Sequence, residues 1–218
     1  MKRVKCQVFD KIRRIDPVNP EHALIVEAAC AMEKGGVVIF PTSFIYGLGA
    51  DAFNVDAIDR VFKIKNRPHN KPLSVLVKNQ EALYSLVQHI PSYASIIMDR
   101  FWPGKITIVF KAKEGLPENL TAGTGTIGVR IPVHTAACAL VNALDNPITG
   151  TSANFSGHAG CSRISDLDPL ISDEIDLILD AGSLEGGIGS TVIDATGNQP
   201  TILRHGAIAA KDIFAVLS

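Results

Sequence analysis

Residues 19–40 read NPEHALIVEAACAMEKGGVVIF, and this stretch decides the fold class. Asn19 suits a helix N-cap, Pro20 the first helical position and Glu21 the first turn, where an acid meets the positive end of the helix dipole. The helix is predicted to run to Lys34 and stop at Gly35-Gly36. Val37 to Phe40 follow at once as an unbroken apolar run, the pattern of a strand buried on both faces. The same sequence of elements then recurs. Asn54 caps a second predicted helix with apolar positions at Val55, Ile58, Val61 and Phe62. It should end near Lys65, because Pro68 biases Arg67 away from helical backbone, and the apolar run Leu73 to Val77 comes next.

Further strands are predicted at 106–110, 127–131, 148–149, 175–179, 191–193 and 201–203, and helices at 80–88, 92–101, 135–144 and 211–217. The basic stretch before Asp16 is expected to add an edge strand. Alternating strands and helices give α/β, and several late strands with no helix between them make the sheet mixed rather than wholly parallel. No linker, repeat or low-complexity tract interrupts the chain, so a single domain over residues 1–218 is expected, with its core at 20–208.

Hydrophobic residues make up 46% and charged residues 20% of the 218, which argues against disorder. A formal net charge of -1 excludes a protein that holds nucleic acid by bulk charge, so any RNA contact must come from a local patch. No apolar run is long enough to span a bilayer, and the basic start MKRVKCQVFDKIRR is too broken by charges for a secretion signal. Cys6, Cys30, Cys138 and Cys161 form no CxxC, and no histidine pair has metal spacing. Cys30 and Cys138, in Ala-rich surroundings, are expected as buried thiols of a reducing cytoplasm.

Five clusters carry possible chemistry. RVFKIKNRPHNK (60–71) holds five cations and no acid. On extended chain Lys65 and Arg67 would point the same way. Two cations aimed at one spot suit a small polyanion, phosphate first, while a solvated helix end is the bland alternative. PTSFIYGLG (41–49) puts hydroxyls and glycines at a strand end, where open α/β sheets bind ligands, or else forms a simple Gly-containing turn. TGTSANFSG (149–157) offers Ser152 and Asn154 on one side of an extended chain, or else a Ser or Asx turn. Thr126 and Arg130 bracket a strand, and Ser190 and Arg204 each sit at a strand end beside a glycine. An Arg that closes an apolar strand more often pairs with a surface carboxylate than with a ligand, and Ser190 and Arg204 could equally be a cap or a surface charge. Taken together, clusters rich in hydroxyl and cation and poor in carboxylate lack the order of an acyl-transfer triad or a glycosidase pair. They suit a pocket that stabilises phosphate charge.

In order, PTSFIYGLGADA, KIKNRP with KPL, FWPGKITIVF, IGVRIP, TSANFSG, GSTVID and ILRHGAI resemble the YrdC-type threonylcarbamoyl-AMP synthase family, from about Gly36 to Ile208. The family's KxR and SxN signatures stand here as Lys65-Asn66-Arg67 and Ser152-Ala153-Asn154. The resemblance implies a twisted mixed α/β domain around a large electropositive cavity. It implies an ATP-using nucleotidyltransferase that joins L-threonine, bicarbonate and ATP, with Mg²⁺ accompanying the ATP, into threonylcarbamoyl-AMP and pyrophosphate. A downstream transferase complex would pass the threonylcarbamoyl group to tRNA. By the same resemblance Thr42, Arg130, Ser152 and Ser190 would bind threonine. Lys65, Arg67, Thr126, Asn154, Ser162 and Arg204 would bind ATP, with Lys65 and Arg67 catalytic. No metal held by the protein alone and no membrane contact are implied.

Two departures bear on which amino acids are accepted. Ser43 replaces an acid of the commoner PTETVYGL, and Leu76 stands where some members place a histidine. The family's longer members carry a further C-terminal domain, which this sequence is expected to lack. Two other readings remain: a module that binds tRNA or double-stranded RNA in its concavity, and a relative handling another carbamoyl adenylate, as in hydrogenase maturation factors. Lys65→Ala and Arg67→Ala are expected to leave folding largely intact, because cations at an exposed helix end add little stability, yet nearly to abolish turnover.

Overall fold

Asp16, rather than Asn19, organises the entry to the first helix. Its Oδ1 accepts the N–H groups of Val18 (2.8 Å) and Asn19 (2.9 Å), and the Glu21 carboxylate accepts the N–H of Asp16. This local turn delays helix α1 (His22–Glu33), which has Glu21 in the N-cap position. The other end follows the sequence expectation. Gly35 donates to the Met32 carbonyl and Gly36 to that of Ala31, a Schellman closure past Lys34.

The computed structural model describes residues 11–217. Its strands are β1 (Ile12–Arg14), β2 (Val38–Pro41), β3 (Tyr46–Gly49), β4 (Ser74–Leu76), β5 (Ile106–Lys111), β6 (Thr126–Arg130), β7 (Ile148–Thr149), β8 (Thr151–Ser152), β9 (Leu177–Asp180), β10 (Thr191–Asp194) and β11 (Thr201–Arg204). The helices after α1 are α2 (Val55–Ile64), α3 (Ser92–Phe101), α4 (Glu118–Thr121), α5 (Thr135–Asn142), α6 (Pro169–Asp173) and α7 (Ala210–Ala215). Residues 80–88, expected as an α-helix, hold only a 3-10 turn at Glu81–Ser85.

The strands divide into two mixed sheets instead of the one expected. The first runs β1-β9-β2-β3-β8 and the second β11-β10-β5-β6-β4-β7. β1 is an edge strand, parallel to β9, as the basic N-terminal stretch suggested; residues 1–10 of that stretch lie outside the described residues. One buried cluster draws on both sheets, with Ile39 and Leu48 from the first meeting Val75, Ile108 and Val129 from the second. A second cluster packs α1 against α5 through Ile25, Ala28, Met32, Ala137 and Leu140. The buried α1 positions are 25, 28, 29 and 32, so Cys30 falls on the opposite, exposed face. The expectation of a buried Cys30 is thereby corrected, and Cys138 is only partly covered.

PTSFIYGLG proves to be a hairpin rather than a loop. β2 and β3 pair antiparallel, Val38 with Gly49 and Pro41 with Tyr46, leaving residues 42–45 as the turn. The glycines of β3 are there for contact. A Cβ on Gly49 would stand 2.3 Å from the Thr149 carbonyl oxygen and 2.9 Å from the Phe40 ring. β3 must therefore stay bare for the hairpin to pack against TGTSAN, whose β8 pairs Ser152 with Gly47.

Candidate functional site

Lys65 and Arg67 do not lie on extended chain. Asn54 caps α2 as expected, its Oδ1 accepting the Ala57 N–H at 3.0 Å, and Lys65 is the C-cap. Asn66 then takes a left-handed backbone with φ 46°, Asn66 donates to the Lys63 carbonyl and Arg67 to that of Phe62. This second Schellman closure reverses the chain. The two cations are thus brought together by a turn, not by strand alternation.

Nor is Lys65 a solvated helix end. Its side chain is 1% exposed, and its ammonium donates to the carbonyls of Ser152 and Asn154, the latter at 2.6 Å. Burial, with the nearby Arg67 charge adding to it, pushes its pKa down to about 7. The Lys65 carbonyl accepts the Ser156 N–H at 2.8 Å, so TSANFS is bound to the end of α2 at both its backbone and its carbonyls. Arg67 is half-buried. Its Nε donates to the Lys71 carbonyl and one terminal nitrogen to that of Pro72, and burial lowers its pKa.

The second sheet supplies the opposite wall as a single row of residues. Leu76 on β4 stands beside Arg130 on β6, Thr107 on β5 beside Val192 on β10, and Val192 beside Arg204 on β11. The pairing Ile108 with Val129 links the middle of the row, placing Thr107 next to Arg130. Neighbours in such a row point to one face. Arg130 and Arg204, three strand spacings apart, are separated by roughly 14 Å between Cα atoms. Arg204 is held by Ser190, donating to its carbonyl at 2.7 Å and its hydroxyl at 3.1 Å, and Ser190 shares a hydrogen bond with Thr107.

Arg130 differs from its neighbours, because no described side chain or carbonyl is hydrogen-bonded to its guanidinium. The surface carboxylate weighed from sequence is absent among the described residues. Enclosure by protein, and then the Arg204 charge, pull its pKa down to about 10. A partly buried guanidinium without a counter-charge carries a desolvation cost that a ligand anion would relieve.

These walls enclose a cavity of about 340 Å³. Of the sequence candidates, it gathers Thr42, Lys65, Arg67, Arg130, Ser152, Asn154, Ser190 and Arg204, and no aspartate or glutamate lines it. Thr126 and Ser162 lie outside the lining. Thr126 is at the far end of β6 from Arg130, its hydroxyl bonded to that of Thr124, and the Ser162 carbonyl accepts the Leu184 N–H. Of the two departures, Leu76 lines the cavity and Ser43 does not. Sequence reading missed Phe44, Tyr46, Ser74, Thr107, Ser156 and His158. The hydrophobic patterning that marked the strands carries no signal for which end of them a cavity will occupy.

Tyr46, on β3, ties the hairpin to the end of β9 within the first sheet. Its fully buried hydroxyl donates towards the Gly182 carbonyl (2.7 Å) and Asp180 Oδ1 (3.1 Å) and accepts the Ala181 N–H (3.0 Å). Burial, and then Asp180, raise its pKa well above the usual phenol range. Tyr46→Phe strands these partners and should lower stability by about 1–3 kcal/mol, read as a fall in melting temperature.

A family model for the Sua5, YciO and YrdC proteins, described as telomere recombination, matches residues 30–206. The threonylcarbamoyl-AMP synthase of Pyrococcus abyssi is 36% identical over 190 residues, 87% of this chain and 56% of that protein. That of Bacillus subtilis is 35% identical over 217 residues, 99% of this chain and 61% of that protein. The crystal structure of P. abyssi Sua5 complexed with L-threonine superposes with a TM-score of 0.90 at 35% identity, over 94% of this chain and 60% of that one. The chain therefore spans somewhat more than half the length of these relatives. The hairpin, the cations around Asn66, the TSAN segment and the arginine row all fall inside the matched residues, and the chain belongs to the Sua5/YciO/YrdC family.

Proposed function

We propose that the protein is an L-threonylcarbamoyladenylate synthase, a nucleotidyltransferase that converts L-threonine, bicarbonate and ATP into threonylcarbamoyl-AMP, pyrophosphate and water. The observation that carries this reading is the cavity itself: four cationic side chains from three segments line it with no carboxylate among them, and the guanidinium of Arg130 has no hydrogen-bond partner among the described residues. The threonine bound to P. abyssi Sua5 supports an amino-acid end to such a cavity. In this reading Arg130 takes the threonine carboxylate, with Thr42, Ser152 and Ser190 around the amino acid. Lys65, Arg67, Asn154 and Arg204 take the nucleotide. Thr126 and Ser162, outside the lining, would contact ATP only after their segments move inward.

The carbamate formed on the threonine amine supplies the nucleophile. Its oxygen attacks the α-phosphorus, the bond to the bridging oxygen breaks, and pyrophosphate carries the electron pair away. The protein's part is to hold the reactants in line and to stabilise charge on the phosphates. Mg²⁺ enters with ATP as part of the substrate. The cavity offers hydroxyls and amides but no carboxylate, and among the described residues no three His, Cys, Asp or Glu side chains converge. The product would pass to a transferase complex acting on tRNA. We place this activity in the cytoplasm, where the unpaired thiols of Cys30, Cys138 and Cys161 would stay reduced. Among the described residues no helix is long and apolar enough to cross a membrane.

Incubation with ATP, L-threonine, bicarbonate and Mg²⁺ should release pyrophosphate only when threonine is present; release that ignores threonine would refute the reading. Proton exchange gives a second check. In the free protein Lys65 titrates near 7, and a bound phosphate favours its charged form and raises that value. Above this pH the free protein carries fewer protons at Lys65 than the complex, so ATP binding takes up a proton. Affinity then falls by up to ~10-fold per pH unit until the pKa of the complex is reached. Below it both states are protonated and the dependence vanishes. Calorimetry at a pH about one unit above that value, in buffers of different ionisation enthalpy, should register the uptake, and Lys65→Met should abolish it.

A further inference from the structure

The turn that follows Asn154 has features that its fold does not use. Asn154 Nδ2 donates to the carbonyls of Phe155 (2.7 Å) and His158 (2.6 Å), and the His158 N–H donates back to Phe155, so the turn is braced internally. Its Ser156 N–H is fastened to the Lys65 carbonyl. Yet Ser156 Oγ is buried without a hydrogen-bond partner among the described residues. Gly157, in a left-handed conformation with φ 90°, has nothing within 4 Å of where a Cβ would stand, and its N–H has no partner among the described residues. Both residues line the cavity.

The adjoining cations also hold donors in reserve. Lys65 spends two of its three N–H groups on carbonyls, and Arg67 leaves one terminal nitrogen unengaged. A phosphate offers only acceptors, so it needs donors. A hydroxyl and a backbone N–H meet that need, whereas the unpartnered Asn154 Oδ1, an acceptor, does not.

We infer that Ser156 is a further phosphate-binding residue, whose hydroxyl, with the N–H of Gly157, completes with Lys65 and Arg67 a clamp on the polyphosphate of the nucleotide. Ser156 lies next to the cation pair because its backbone is hydrogen-bonded to Lys65. Ser156 lines the cavity, and its hydroxyl can turn between staggered positions about one side-chain bond. The inference deepens the nucleotide reading above and rests on it for the identity of the polyphosphate.

Ser156→Ala removes one atom that makes no bond in the free protein, so its melting temperature without ligand should stay level or rise. Calorimetric titration with ATP, pyrophosphate, AMP and L-threonine then separates the roles. Losing a hydrogen bond to a charged group should weaken ATP and pyrophosphate by ~10- to ~100-fold, with AMP and threonine unchanged. Unaltered binding of ATP and pyrophosphate would overturn the assignment and leave the ATP reading standing. A lower melting temperature without ligand, or an equal loss of AMP, would also overturn it, by showing that the hydroxyl serves the fold or the nucleoside. Native protein that binds pyrophosphate but not ATP would refute the ATP reading and keep the serine, and binding of neither refutes both.

Discussion

Lys65→Met is expected to slow threonine-dependent pyrophosphate release by roughly 10²–10³. The substitution keeps most of the side-chain volume at a position that is 1% exposed, while the donor and its charge are lost. The effect should fall on kcat, because charge on the phosphates grows as pyrophosphate departs, and on ATP affinity, because the bound phosphate already favours the charged lysine. Lys65→Ala is expected to behave differently from Lys65→Met. Both remove the charge and the donor to the Asn154 carbonyl, but Lys65→Ala also opens a cavity, so its melting temperature should fall further. This revises the expectation, drawn from sequence, that truncating either cation would leave folding largely intact. Arg67, which is only half-buried, stays closer to that expectation.

Arg130→Met is expected to raise the KM for threonine by ~30-fold to ~3000-fold, the range for removing one partner of an enclosed ion pair, and to spare ATP binding. It should also raise the melting temperature of the free protein. The guanidinium is partly buried, faces the charge of Arg204 and has no counter-ion among the described residues. Removing it therefore relieves the fold while disabling the site. A gain in stability with loss of threonine use marks a residue held for its ligand; a fall in both would mark a structural one. Differential scanning calorimetry alongside initial rates over a threonine series distinguishes the two outcomes.

The α/β class was legible because helix caps and apolar runs are local features. Asn54 caps α2, Gly35-Gly36 close α1, and 92–101 and 106–110 appear where periodicity put them. The hairpin was not. Pro41, Gly47 and Gly49 all argue against a strand by propensity, and β3 forms because close packing on Phe40 and Thr149 demands bare backbone there. β8, two residues long, is too short for any periodic signal.

Eight of the ten candidate residues meet at one cavity, yet the geometric reason given for Lys65 and Arg67 did not hold. Charge and Pro68 pointed to the right residues, whereas the left-handed Asn66 that joins them could not be foreseen. Ser162 came from the resemblance alone, whereas Thr126 was paired with Arg130 on one strand, and its place at the outer end of β6 shows why a shared strand does not make a shared site. Ser156 carries no sequence signal apart from lying in TSANFSG; only a buried hydroxyl without a partner sets it apart.

The most direct test follows the carbon of bicarbonate. With isotopically labelled bicarbonate, ATP, Mg²⁺ and L-threonine, mass spectrometry of the quenched reaction should find an adenylate that contains both threonine and the label, formed in step with pyrophosphate. An adenylate that carries threonine without the label, or pyrophosphate release with no labelled adenylate, would contradict the carbamate chemistry assigned to this cavity.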